Sequence, residues 1–170
     1  LSTAFASSGT LWVSFDWGQN TAAVNFGGLT FFDDVGEKVL IGNTYNGETT
    51  WNMNGATPTA ITTGGMHTAV AKITLVAGAA NDIIELWVGP TGSPVDVSGP
   101  PLATATNRDL EGVNRLRING VDFGNGSNNQ NFDNLLIGTE LTDVDATDAP
   151  PPPVSATWSN PAGGLWDSSG

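Results

Sequence analysis

Residues 10–17 read TLWVSFDW, and the way these eight residues divide between two faces decides the fold. In an extended strand successive side chains point to opposite sides, so Leu11, Val13, Phe15 and Trp17 share one face while Trp12, Ser14 and Asp16 share the other. The first face is wholly apolar. The second carries an indole beside a hydroxyl and a carboxylate. The same division recurs in 82–88 (DIIELWV), where Ile84, Leu86 and Val88 oppose Ile83, Glu85 and Trp87.

Working outward, further short alternating runs fall at 28–33, 38–42, 68–77, 113–119 and 131–138, and no stretch of a dozen residues keeps a helical period. The segments between them, among them NGET, NMNGATP, TTGG, GPTGSP, SGPP and NGVDFGNGSNNQN, carry Gly, Pro and Asn where turns need positive or fixed φ. The chain reads as all-β. Seven or more short strands, each with one apolar face, predict two antiparallel sheets packed as a sandwich, with a closed barrel as the competing architecture.

Composition sets the outer limits. A chain of 170 residues with 39% apolar and 13% charged residues has the length and apolar content for a full core and lacks a run long enough to cross a membrane as a helix. Seventeen acidic against five basic side chains give a net charge of −12, which repels phosphate backbones and anionic lipid, so neither nucleic acid nor membrane insertion is expected. Without cysteine there is no disulfide, thiol chemistry or thiolate zinc site. The start, LSTAFASSGTLW, has no initiator Met and no signal-peptide pattern, as expected of a piece of a longer, processed polypeptide.

Past Val144 the alternation stops. Residues 1–145 are read as the β-rich unit, 146–153 as an acidic, proline-rich spacer, and 154–170 as an extended tail carrying Trp158 and Trp166. That tail is either the start of a following repeat or a strand added to the edge of this unit or of a neighbouring copy, with the two indoles as anchors.

The succession GTLWVSFDW, GGLTFFDDVGEKVLIGN, VAKITLVAGAANDIIELWVGPTG, NRLRINGV and FDNLLIGTELTDV resembles the laminin-G-like or concanavalin A-like domains of large secreted bacterial proteins, over about residues 9–145. The resemblance implies a jelly-roll sandwich acting as an extracellular carbohydrate-binding or adhesion module. It also implies a structural Ca²⁺, with Asp133 of FDNLLIG as a carboxylate ligand together with backbone carbonyls and a residue near the N-terminus. Domains of this kind usually carry an extra strand before the segment matching GTLWVSF, where only eight residues stand here.

Catalysis is not expected. Glycoside hydrolases of this fold use two carboxylates on one strand face, whereas Asp82 and Glu85 are three apart and point to opposite faces. The single histidine, His67, stands at a loop-to-strand junction, where a surface or satisfied side chain is expected and not the general base of a triad. Sugar binding needs a flat apolar ring beside hydrogen-bonding groups, and Trp12, Asp16, Glu85 and Trp87 supply both if their strands are neighbours, with Tyr45 and Trp51 as a loop rim. The alternative is that these indoles are core. Asp33 and Asp34 form a second oxygen cluster in a turn, either a weak cation site or simply solvated. Arg115 and Arg117 share one strand face and are expected to pair with the acidic surface, and NGS at 125–127 matches a glycosylation sequon.

Two functions follow as expectations: a non-catalytic module binding a polysaccharide or cell-surface glycan, or a structural subunit of an extracellular fibre or surface layer whose tail completes the sheet of the next copy.

Overall fold

The computed structural model describes residues 5–20, 26–44, 49–54, 56–57, 59–120 and 130–147. Tyr45, Trp158, Trp166 and the 125–127 sequon lie outside them. Among the described residues the chain is all-β, with a single 3₁₀ turn at Leu141–Asp143.

One sheet has five strands, β1 (Gly9–Gln19), β5 (Gly65–Leu75), β6 (Asp82–Pro90), β8 (Ala103–Arg108) and β10 (Gln130–Gly138), in the order β10-β1-β5-β6-β8. The second has four, β2 (Gly27–Phe32), β3 (Glu37–Asn43), β4 (Asn52–Met53) and β9 (Arg115–Gly120), in the order β4-β3-β2-β9. Every pairing within these two sheets is antiparallel. Two further short strands, β7 (Val95–Asp96) and β11 (Ala146–Thr147), pair in parallel with each other. Residues 146 and 147, assigned to the spacer by composition, are thus hydrogen-bonded to the β7 segment.

The apolar faces of both sheets enter one cluster, to which β1 contributes Val13, Phe15 and Trp17 and β2 contributes Leu29 and Phe31. The alternation of 10–17 therefore does what its pattern dictates on the inner side. Burial of this cluster, at roughly 25 cal/mol per Å² of apolar surface removed from water, is the main force holding the sheets face to face.

Asp82 anchors this core from the β6 start. Its side chain is 2% exposed, and its two carboxylate oxygens accept the main-chain amides of Val76 (2.8 Å) and Leu110 (2.6 Å). Both lone-pair sets are used in holding loops, so Asp82 is a structural carboxylate on the opposite side of the strand from Glu85.

Candidate functional site: a guanidinium-lined cleft and a covered indole face

The outer face of the five-stranded sheet is where the sequence put a ligand surface. Its side chains do point outward, but β1 and β6 are not neighbours, because β5 lies between them. The register runs Trp12–Lys72–Glu85, Ser14–Val70–Trp87 and Asp16–Thr68–Gly89. Trp12 and Trp87 still meet across β5, with ring centroids 6.3 Å apart.

That indole pair is not open. Val70, Trp87, Val95 and Val144 form a second buried cluster, against which Trp12, Val97, Leu141 and Ala146 pack. The lid over it consists of β7, β11 and the 3₁₀ turn. It is held by Val95 N–H to the Asp145 carbonyl (3.0 Å), Val97 N–H to the Thr147 carbonyl (2.9 Å) and Asp145 N–H to the Ser14 hydroxyl (3.1 Å). Gly89 makes the close approach possible, since a Cβ there would stand 3.3 Å from a Val95 methyl. Trp87 is 8% exposed and its indole N–H donates to the Gly99 carbonyl at 3.0 Å.

The polar partners on this face are equally engaged. Asp16 is 3% exposed, accepting the Thr68 hydroxyl at 2.5 Å and the Asn134 amide at 2.6 Å. Asn134 reaches it from a bulge in β10, where Asn134 takes φ 51°, a left-handed conformation that asparagine tolerates. Glu85 pairs with Lys72 at 3.4 Å, and the same ammonium lies 5.9 Å from the Trp12 ring. Trp12, Asp16, Glu85 and Trp87 therefore assemble on one face, yet as the floor of a small internal layer and not as a stacking platform.

Trp51 departs further from expectation. It is fully buried, edge-on to Trp17 at 5.2 Å and 5.9 Å from Phe15, with His67 at 6.4 Å. Its main chain bonds to Ile61 and Thr59, which folds the 49–62 segment inward and leaves the indole no face toward a ligand.

The acidic residues named as cation ligands have other work. In the turn after β2, Asp33 Oδ1 accepts the amides of Val35 and Gly36, both at 2.8 Å, and Oδ2 receives the Lys38 ammonium at 3.0 Å. The Gly36 amide first and the Lys38 side-chain bond second hold the Asp33 carboxyl below its ordinary value, and the bond to Asp33 raises Lys38 in turn. An ammonium occupies the position a metal would need. Asp34 accepts the Asn114 side-chain amide at 2.9 Å. Asp133 is exposed, its Oδ1 accepting the Asn134 amide at 2.8 Å. No group of three or more His, Asp or Glu converges among the described residues.

What the sequence reading passed over lies on the outer face of the other sheet. Alternation along β9 sends Leu116 inward and Arg115 and Arg117 outward, and the register sets Arg115 beside Phe32. Phe32, Arg115, Leu116 and Arg117 line a cleft of about 190 Å³. The guanidinium carbons lie 5.8 Å (Arg115) and 4.7 Å (Arg117) from the Phe32 ring centre. Among the described residues the expected pairing with the acidic surface is not found: Lys38 and Lys72 are ion-paired, whereas neither Arg115 nor Arg117 has a carboxylate partner. Arg115 instead donates to the Asp33 main-chain carbonyl at 2.7 Å, which ties it to the ordered turn. The signal available in the sequence was two of only five cations at period-two spacing on one strand.

A second exposed feature is the β10 strand, which among the described residues pairs with β1 alone. Leu135 and Leu136, at its bulge, are 37% and 42% exposed. Comparison of the chain with protein-family models, curated proteins and solved structures returns no match.

Proposed function

We propose that this chain is a non-catalytic extracellular carbohydrate-binding or adhesion module, built as a jelly-roll sandwich of the laminin-G or concanavalin A type, and that its ligand site is the Phe32 cleft. The observation that carries the reading is the cleft itself. Phe32 and Leu116 supply apolar surface, and two guanidiniums without a carboxylate partner among the described residues stand beside it. Saccharides are bound by that combination, flat or apolar contact on C–H faces and fixed donors toward oxygens. The indole face first expected to serve is internal, so the ligand surface moves from one sheet to the other.

The non-catalytic part of the reading is supported by the state of the carboxylates. Asp16 and Asp82 each have both oxygens bonded within the fold, and Glu85 is paired with Lys72. A retaining or inverting hydrolase needs two carboxyls facing a common substrate.

The test is a pull-down of the full chain on a panel of neutral and acidic polysaccharides, repeated with Phe32→Ala. Retention on at least one glycan, lost in Phe32→Ala while its thermal transition persists, is the expected outcome. Retention on none would end the reading.

A structural-subunit function has one specific observation in its favour: an edge strand with two exposed leucines, suited to accepting an added strand. Under that reading, chains ending after Ala149 lose the ability to form filaments seen by electron microscopy, and glycan retention is unchanged.

A further inference from the structure

We infer that the Phe32 cleft selects a carboxylated saccharide, a polymer of uronic acid units, over neutral glycans. This rests on the glycan-binding reading above and narrows its ligand. A neutral sugar gains little from an ionised guanidinium that an amide could not supply, whereas a carboxylate matches the guanidinium fork in charge and geometry.

The charge distribution points the same way. The protein carries −12 overall with five cations, and two of those five stand on one strand face at one cleft without an acidic partner among the described residues. Two residues apart on a strand, their backbones are roughly 6.6 Å from each other, so both side chains reach one extended ligand. Proximity to the Phe32 ring, closer for Arg117 than for Arg115, restrains the two side chains and lowers the entropy lost when a ligand is gripped.

The two arginines are not equal. Arg115 spends one N–H on the Asp33 carbonyl and stands on the side of the cleft where Asp33 and Asp34 lie. Asp33 is neutralised by Lys38 in the same turn, while Asp34 is bonded only to the neutral Asn114 amide. Among the described residues Arg117 makes no hydrogen bond, so its donors are free for a ligand and it carries the larger part of the affinity. The negative background acts over about a Debye length, roughly 8 Å at physiological salt, and leaves contact pairs little affected.

The experiment uses the full chain at about 0.15 M salt, with polygalacturonate, a neutral β-glucan and dextran sulfate, which carries sulfate and no carboxylate, as probes, measured by calorimetry. Binding to polygalacturonate that falls about tenfold in Arg117→Gln, less in Arg115→Gln, and is only partly restored in Arg117→Lys supports the inference. Thermal transitions of the three variants, expected within about 2 °C of the parent, show that the losses are local. Binding to the β-glucan alone, indifferent to Arg117, overturns the inference and leaves the glycan-binding reading in place. Equal Arg117-dependent binding of dextran sulfate and polygalacturonate overturns the preference for carboxylate by showing that charge alone is read. Binding to no glycan overturns both.

Discussion

The two faces of the five-stranded sheet begin from similar side chains and end in different roles. Each presents tryptophan: Trp17 on the inner face, Trp12 and Trp87 on the outer. The inner face meets a whole second sheet and forms a cluster fed by β1, β2, β3, β5, β6 and β8. Among the described residues the outer face meets two-residue strands and a single 3₁₀ turn, enough to exclude water from Trp87 but not to seal Trp12. An indole flanked by a carboxylate is thus no signature of a ligand surface. What matters is whether a distant segment returns to cover it.

Truncating one indole on each side breaks the comparison most directly. Trp51→Ala opens a cavity in the main core and should cost about 4 kcal/mol, whereas Trp87→Ala, under a thin cover able to collapse, should cost about 2 kcal/mol. Urea denaturation of both variants checks the order, and equal losses would mean that the lid is as firm as the second sheet.

Carboxylates allow the same contrast at smaller cost. Asp82→Ala strands the buried Leu110 amide and the half-covered Val76 amide and should cost about 2–3 kcal/mol, while Asp16→Ala strands a hydroxyl and a side-chain amide that can turn elsewhere, about 1–2 kcal/mol. Both are read from the shift in denaturation midpoint. A larger effect at Asp16 would show that the β10 bulge, and with it the sheet edge, depends on that side chain.

The outer face of the four-stranded sheet offers a third surface, ordered by a turn and not by a lid. Asp33 has its carboxyl lowered below the ordinary 3.8, so its contribution to stability is complete above that value and is lost as pH falls through the lower folded value. Asp33→Asn should therefore be less stable than the parent at pH 6, with the gap closing below about pH 3.8. Denaturation curves between pH 6 and pH 3 check this, and a gap constant with pH would remove the Lys38 pairing and amide bonds as its source.

The smallest effect expected is that of a chelator. With Asp33 bound to an ammonium and Asp133 in no acidic cluster, EDTA should leave the thermal midpoint unchanged. A rise of several degrees on adding Ca²⁺ would restore a structural ion to this chain.

Much of the fold was legible because period-two alternation is a local property. The runs at 10–17, 28–33, 38–42, 68–77, 82–88, 113–119 and 131–138 all coincide with strands, within two residues at either end apart from the fourth, which begins at Gly65. The strand at Ala103–Arg108 escaped notice because its inward residues are Ala103 and Ala105, too small to mark an apolar face. The pairs at 52–53, 95–96 and 146–147 are too short to carry a period at all.

The sites fared differently. Trp51 was read as a loop rim since Gly, Asn and Thr surround it, and only the return of Thr59 and Ile61 onto its main chain turns it inward. The pairing of Arg115 and Arg117 with the acidic surface was a statement about average charge, which says nothing of where individual carboxylates are spent.

By itself, then, the order of residues settled which side chains lie on the same side of each strand, because that follows from backbone geometry two residues at a time. Tertiary structure alone decided which of those sides would meet water. Strand order placed β5 between the two outer indoles, a segment over a hundred residues from Trp12 came back to lie across them, and β9 set two arginines against Phe32 without an ion pair among the described residues. Burial and charge pairing are sums over neighbours in space, and those neighbours are chosen only when the sheets close.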